Sequence, residues 1–145
     1  MTDRTPVKMK RINLLTSEIE AAYHDAALKL GLTDSAMRIL YIICNVGEDC
    51  LLSDITHMSG ISKQTINSAL RKLEADGVVY LEAVNGRQKK VCLTDKGNLL
   101  VQNTTFRLIK FENEIFDSWS EEERELYTEL TDRFLTAFKE KLNEL

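Results

Sequence analysis

The chain has 145 residues, with 19 Lys plus Arg against 23 Asp plus Glu and a hydrophobic fraction of 43%. That length suits one compact domain, or one domain carrying an interaction extension, and the composition argues against general disorder. One proline and six glycines speak against a turn-rich β-sandwich and for long helices. No apolar run approaches the roughly 18 residues that span a bilayer, and the polar, basic residues 1–10 lack an apolar signal core,. A cytoplasmic protein without a membrane partner is expected.

Cys44, Cys50 and Cys92 cannot all pair within one chain, and none lies in a Cys-x-x-Cys arrangement, so neither a zinc knuckle nor a thioredoxin-type site is indicated. Reduced, partly buried thiols are the simpler reading. Charge is unevenly spread: residues 1–12 carry +3, 13–61 carry −5, 62–96 carry +3, 97–110 carry +2 and 111–145 carry −7. A pI near 5.3 disfavours a non-specific DNA coat but leaves room for one local basic face.

In chain order, apolar residues at Ile12, Leu15, Ile19, Ala22, Tyr23, Ala26 and Leu30 predict an amphipathic helix over 12–30, stopped by Gly31. Thr33 caps a second helix whose residues from Ala36 to Val46 are apolar almost all round, as in a central buried helix,. Ser53 is expected to cap a short helix through Ile55 and Met58, ending at Ser59-Gly60. Ser62 then caps a helix with apolar Ile66, Ala69, Leu70 and Leu73, closed by Asp76-Gly77. Two helices about a tight turn at Gly60 give a helix-turn-helix.

The period changes at residues 78–82 and 91–93, which read as two strands of a hairpin,. Asn85-Gly86 between them predicts a type I′ turn with positive φ at both central positions. Thr94 caps a helix expected to run unbroken to about Phe116. Ser120 and Glu123 form a capping box for a last helix, with Leu126, Leu130, Phe134, Phe138 and Leu142 spaced by four,. Glu121, Glu122 and Glu123 suit a helix N-terminus. The fold class is therefore mainly α with a small β-hairpin wing: a winged helix-turn-helix between terminal helices.

A helix fits the major groove with its N-terminal residues facing base edges. On the 62–76 helix Ser62, Lys63, Gln64, Thr65, Asn67, Ser68, Arg71 and Lys72 combine base-reading types with phosphate-binding cations. Gln64 and Asn67 could each pair with adenine. Arg87, Lys89 and Lys90 place cations at or near the hairpin tip, suited to a narrow minor groove.

Residues 62–74, SKQTINSALRKLE, followed by Gly77-Val78-Val79, resemble the recognition helix and first wing strand of the MarR (multiple antibiotic resistance) regulators. Asn85-Gly86-Arg87, with Leu93-Thr94-Asp95-Lys96-Gly97, is similar to the family's Asp-x-Arg wing tip and Leu-Thr-x-x-Gly lead into the next helix. The motifs cover about residues 30–100. The resemblance implies an obligate homodimer on pseudo-palindromic double-stranded DNA, repression of nearby genes, and release by a small-molecule effector. It divides the chain into an N-terminal dimerisation helix (1–32), a winged helix-turn-helix domain (33–97) and C-terminal dimerisation helices (98–145). Arg87 matches the wing-tip arginine. Asn85 stands where the family has an aspartate and brings no charge to hold Arg87, and Ser68 stands where an arginine is common. In that architecture a crevice lies between the dimer helices and each wing domain, with Tyr23, His24, Met37, Tyr41 and Cys44 as candidates to line it.

His24, one turn after Glu20, has the spacing of a metal pair, but two histidines make a metal site unexpected, and no cofactor is expected. His57 is expected to be exposed or near a phosphate. The family's peroxide sensors carry a cysteine near the start of the first helix, where this chain has none. No glycine-rich phosphate loop, His-Glu-x-x-His or nucleophile elbow points to an enzyme. The remaining rival is a winged helix used only as a protein-interaction scaffold, which should lack a cationic wing and a polar recognition face.

Overall fold

The computed structural model describes residues 4–145, so the first three residues of the basic N-terminal stretch lie outside the described part. Along the chain run α1 (Lys10–Lys29), α2 (Asp34–Val46), α3 (Leu52–Ser59), α4 (Lys63–Ala75), β1 (Val79–Ala83), β2 (Lys89–Leu93), α5 (Asp95–Asn103), α6 (Thr105–Asp117) and α7 (Glu121–Leu142). This is the mainly α fold with a β-hairpin that the sequence predicts. The chain divides into two compact units, Met1–Arg107 and Leu108–Leu145.

In the first unit α2 is the central helix, packed against α1, α3 and α4. Ile39, Leu40, Ile55, Ile66, Val91 and Val101 are buried to 1% exposure or less, each worth roughly 1.5–3 kcal/mol of transfer free energy. The predicted caps form: Thr33 Oγ1 accepts from Ala36 N at 3.1 Å and Ser62 Oγ from Thr65 N at 3.2 Å. Thr94 Oγ1 accepts from Gly97 N at 2.9 Å. Each satisfies an amide that the first helical turn leaves unpaired.

Three local expectations are corrected. Ser53 does not cap α3. Val91 N donates to Cys50 O at 2.9 Å and Leu51 bridges Lys90, so residues 50–51 lie along the hairpin edge. The helix therefore starts at Leu52, with the Leu51 amide donating to the Asp54 carboxylate at 2.9 Å. Second, the helix after Thr94 breaks at Thr104 (φ −129°, ψ −85°). There Asn103 Nδ2 and Thr104 Oγ1 donate back to the carbonyls of Leu99 and Leu100 at 3.0 and 2.8 Å, and such back-bonding bends helices.

Third, the hairpin turn is not type I′, because neither Asn85 nor Gly86 has positive φ. Ala83 pairs with Lys89, and Val84 N donates to Gln88 O at 2.9 Å, which leaves a wider loop of Asn85, Gly86 and Arg87. Asn85 Oδ1 holds it by accepting from the amides of Arg87 and Gln88 at 3.2 and 3.1 Å. An asparagine side chain that bonds its own backbone two and three residues on substitutes for the tight turn.

In α1 only Ala27 is buried, while Ile12, Ile19 and Tyr23 of the apolar stripe are 58%, 52% and 37% exposed. In the second unit the capping box forms: Glu123 N donates to Ser120 Oγ at 3.1 Å and Ser120 N to Glu123 Oε1 at 2.8 Å. The Ser120 amide, and then its hydroxyl, lower the Glu123 carboxyl pKa by hydrogen bonding to the carboxylate. Arg124 donates to the carbonyls of Phe116 and Trp119, closing the turn between α6 and α7 beside a Phe116–Trp119–Tyr127 ring cluster. No residue of α7 is buried. Its stripe of Leu126, Leu130, Phe134, Phe138 and Leu142 is 43–54% exposed, with Phe134 and Phe138 stacked at 5.6 Å. No helix among the described residues is long and apolar enough to cross a membrane.

Candidate nucleic-acid interface

The α4 sequence divides cleanly between two faces. Ile66, Leu70 and Leu73 are buried, and this three-four spacing turns the intervening polar residues outward. Lys63, Gln64, Thr65, Asn67, Ser68, Arg71 and Lys72 are all exposed, as is Ser62 at the cap. Ser62 Oγ also donates to Thr65 Oγ1 at 2.8 Å, which fixes the two hydroxyls at the helix start. Among the described residues Lys63, Arg71 and Lys72 enter no ion pair, so their charge is not spent inside the chain.

The preceding helix is held at the required turn by Gly60 and Ser59, which the predicted turn marks, and by Arg38, which it does not. Gly60 adopts φ 67°, a left-handed C-cap that a side chain would strain. Ile61 N donates to buried Ser59 Oγ at 3.1 Å. Arg38 donates from Nε to Ser59 O at 3.2 Å and from Nη2 to Met58 O at 3.3 Å. It is the only lysine or arginine in α2, which is the signal that marks it. At the other end of α4, Lys96 Nζ donates to Asp76 O at 2.6 Å, a cation on a helix C-terminus.

The wing brings forward Arg87 and Lys89 but turns Lys90 aside. Arg87 is exposed at the tip; Asn85 supports its backbone amide, and its guanidinium enters no ion pair among the described residues. Lys89 and Lys90 are neighbours on β2 and so project to opposite faces. Lys89 is exposed. Lys90 is partly buried, opposite Glu82 in the hairpin register, with Nζ 4.0 Å from Glu82 Oε2 and 4.0 Å from Asp49 Oδ1.

Tyr23 and Tyr41 meet edge to face at 6.1 Å. His24 Nδ1 lies 2.8 and 2.6 Å from the two Asp34 carboxylate oxygens. Met37 is buried, and Thr105 Oγ1 lies 4.0 Å from its sulfur. Cys44 lines a cavity together with residues of the wing and of α5 and α6. Burial pushes its thiol from 9.0 up to about 11. The Cys50 thiol is likewise raised to about 11, by burial first and the Asp54 carboxylate second. His57 is exposed. Tyr80 is raised by its hydrogen bond to Cys92, its partner across the hairpin.

A helix-turn-helix with an exposed polar second helix, flanked by a two-stranded wing, defines a winged-helix fold. Residues 30–89 match the MarR family. A MarR family regulator of Neisseria meningitidis superposes with TM-score 0.79 at 15% identity, over 96% of this chain and 99% of that one. The S. aureus MepR–DNA complex gives 0.65 at 20% identity, over 92% and 99%. The PcaV regulator of Streptomyces coelicolor with its natural ligand gives 0.62 at 15%, over 92% and 99%. At these identities the structural likenesses establish the fold alone. No curated protein matches the sequence.

Proposed function

We propose that this chain acts as a cytoplasmic, non-enzymatic homodimer that binds a pseudo-palindromic operator, represses adjacent genes and is released by a small-molecule effector. The observation that carries it is the α4 surface: seven exposed polar or cationic side chains, whose cations enter no ion pair among the described residues, together with a wing tip bearing Arg87. In this reading α4 enters the major groove. Ser62, Lys63, Gln64, Thr65, Asn67 and Ser68 face base edges and nearby phosphates, with Arg71 and Lys72 on phosphates. Arg87 enters the minor groove, and Lys89 reaches a flanking phosphate. Lys90, turned toward Glu82, has a smaller part than the sequence suggests. The DNA-bound MepR and ligand-bound PcaV, similar in fold, support the two partner classes.

A second copy of the chain is the natural cover for the two apolar stripes, on α1 and on α7, that a single chain leaves exposed, since monomers rarely keep patches of that kind. The assignment of residues 1–32 and 98–145 to dimerisation and 33–97 to DNA binding follows the same logic. Two α4 helices related by a dyad would read half-sites about 34–36 Å apart. Selection from a random duplex library tests the proposal. The expected outcome is an inverted repeat with that spacing, and sedimentation as a dimer. Enrichment of no motif, or of a single half-site by a monomer, would contradict it; a dimer that selects nothing would favour the interaction-scaffold role.

A further inference from the structure

The cavity that Cys44 lines lies entirely within the first unit, between the C-terminal end of α2, the wing strands and the start of α5 and α6, with a volume of about 420 Å³. That volume falls in the roughly 300–1,000 Å³ range of small-molecule sites. Its walls combine apolar Ile43, Val91 and Leu93 with two aromatic rings, Tyr80 and Phe106. Its polar groups are biased in charge. Glu48 and Glu82 both line it, and the one cation there, Lys90, is shared between Glu82 and Asp49 at 4.0 Å from each. Glu82 and Asp49 thus share one ammonium, and Glu48 adds a second carboxylate to the lining. Those 4.0 Å separations exceed hydrogen-bonding distance, and Glu82 Oε2 accepts a weak bond from Cys92 Sγ at 3.7 Å, which leaves most of its acceptor capacity unused.

The backbone adds to the same bias. Gly47, the C-cap of α2, is part of the lining, and the C-terminal end of a helix carries partial negative charge. Aromatic ring faces attract cations as well. Shape, ring content and charge therefore agree on one class of guest.

We propose that this cavity binds a small aromatic organic cation, such as an aryl quaternary ammonium, with its charge near Glu48 and Glu82 and its ring against Phe106 and Tyr80. The inference deepens the effector part of the function proposed above and rests on it only for its regulatory meaning. A guest here would press on β1 and β2, the strands that carry the wing tip. It would also compete with Lys90 for Glu82.

Calorimetric titration of the full chain without DNA tests the site. The probes are benzyltrimethylammonium, benzyl alcohol and phenylacetate, which share a benzyl group and carry positive, zero and negative charge. The cation should bind at least tenfold more tightly than the alcohol, with phenylacetate weakest. Glu82→Gln and Glu48→Gln should each weaken the cation several-fold, and together by about tenfold or more. Lys90→Gln should tighten it. All three are surface or half-exposed positions, and a thermal melt of each variant verifies folding. No cation binding, phenylacetate binding as tightly as the cation, or an affinity that none of the three substitutions moves would overturn the proposal. Because no DNA is present, failure of the chain to bind an operator would refute the regulator reading without altering this result.

Discussion

Gly97 is the position where sequence statistics and three-dimensional structure make opposite predictions. It lies in the third position of α5, where helix propensity favours alanine over glycine by about 1 kcal/mol. A Cβ built there would lie 2.0 Å from the Val78 carbonyl oxygen and 3.3 Å from Leu93 Cδ2. The first distance is 1.4 Å short of the 3.4 Å at which ordinary contact begins, and the obstacle is backbone. The same carbonyl accepts from Thr94 N at 3.1 Å, so α5 cannot back away without loosening its own cap and the root of β1. Overpacking of this kind costs about 1–3 kcal/mol and sometimes more. Taking the upper end against the propensity gain, Gly97→Ala should lose about 2 kcal/mol, or about 5–10 °C in Tm. Gly86→Ala is the control, because nothing lies within 4 Å of its Cβ and its φ is not positive; a change within about 0.5 kcal/mol is expected there. Urea titration and calorimetry measure both variants. A Gly97→Ala protein as stable as the parent, or more so, would refute the close-approach reasoning.

Four further outcomes are expected. Asn67→Ala should lose about 1–3 kcal/mol of discrimination at one base pair per half-site, measured by binding to a panel of single-base operator variants; a uniform loss would make Asn67 a phosphate contact. Arg87→Ala should weaken binding most on operators with A·T-rich flanks, and equal losses on all flanks would remove it from the minor groove. Asn85→Ala strips the acceptor from two backbone amides and should destabilise the turn by about 1 kcal/mol. Amide exchange at Arg87 and Gln88 should speed up in that variant and stay slow in Asn85→Asp, and unchanged exchange in the alanine variant would mean the side chain does not hold the loop. Finally, thiols raised from 9.0 to about 11 hold about a hundredfold less thiolate at pH 8. Cys44 and Cys50 should therefore alkylate with iodoacetamide about a hundredfold more slowly in the native protein than in denaturant, and rates within tenfold would contradict their burial.

Local chemistry with a fixed period was readable from the sequence, and long-range packing was not. Thr33, Ser62, Thr94 and Ser120 each cap the helix they precede, because a cap depends on only three or four adjacent residues. The α4 face was legible because Ile66, Leu70 and Leu73 follow the helical repeat with polar residues between them. Ser53 misled because the edge pairing of Cys50 and Leu51 with β2 is a contact 40 residues distant in sequence. Asn85-Gly86 fits a two-residue turn, but the hairpin register from Ala83–Lys89 inward leaves a longer loop. Lys89 and Lys90 looked equivalent as neighbours, and the strand's two-residue alternation separates them. Arg38 escaped notice because its two carbonyl partners sit at the end of a different helix. The stripes of α1 and α7 read as apolar faces in either case, since periodicity cannot tell a core from a face awaiting a second chain.

The most direct test of the central claim is fluorescence anisotropy of the full chain with the intergenic DNA upstream of its own gene and with an unrelated duplex, across a salt series. Sequence-specific operator binding predicts a preference for the upstream duplex of about a thousandfold or more, with log affinity falling steeply as log salt rises. Absence of binding to either duplex at low salt, or equal weak affinity for both, would contradict it.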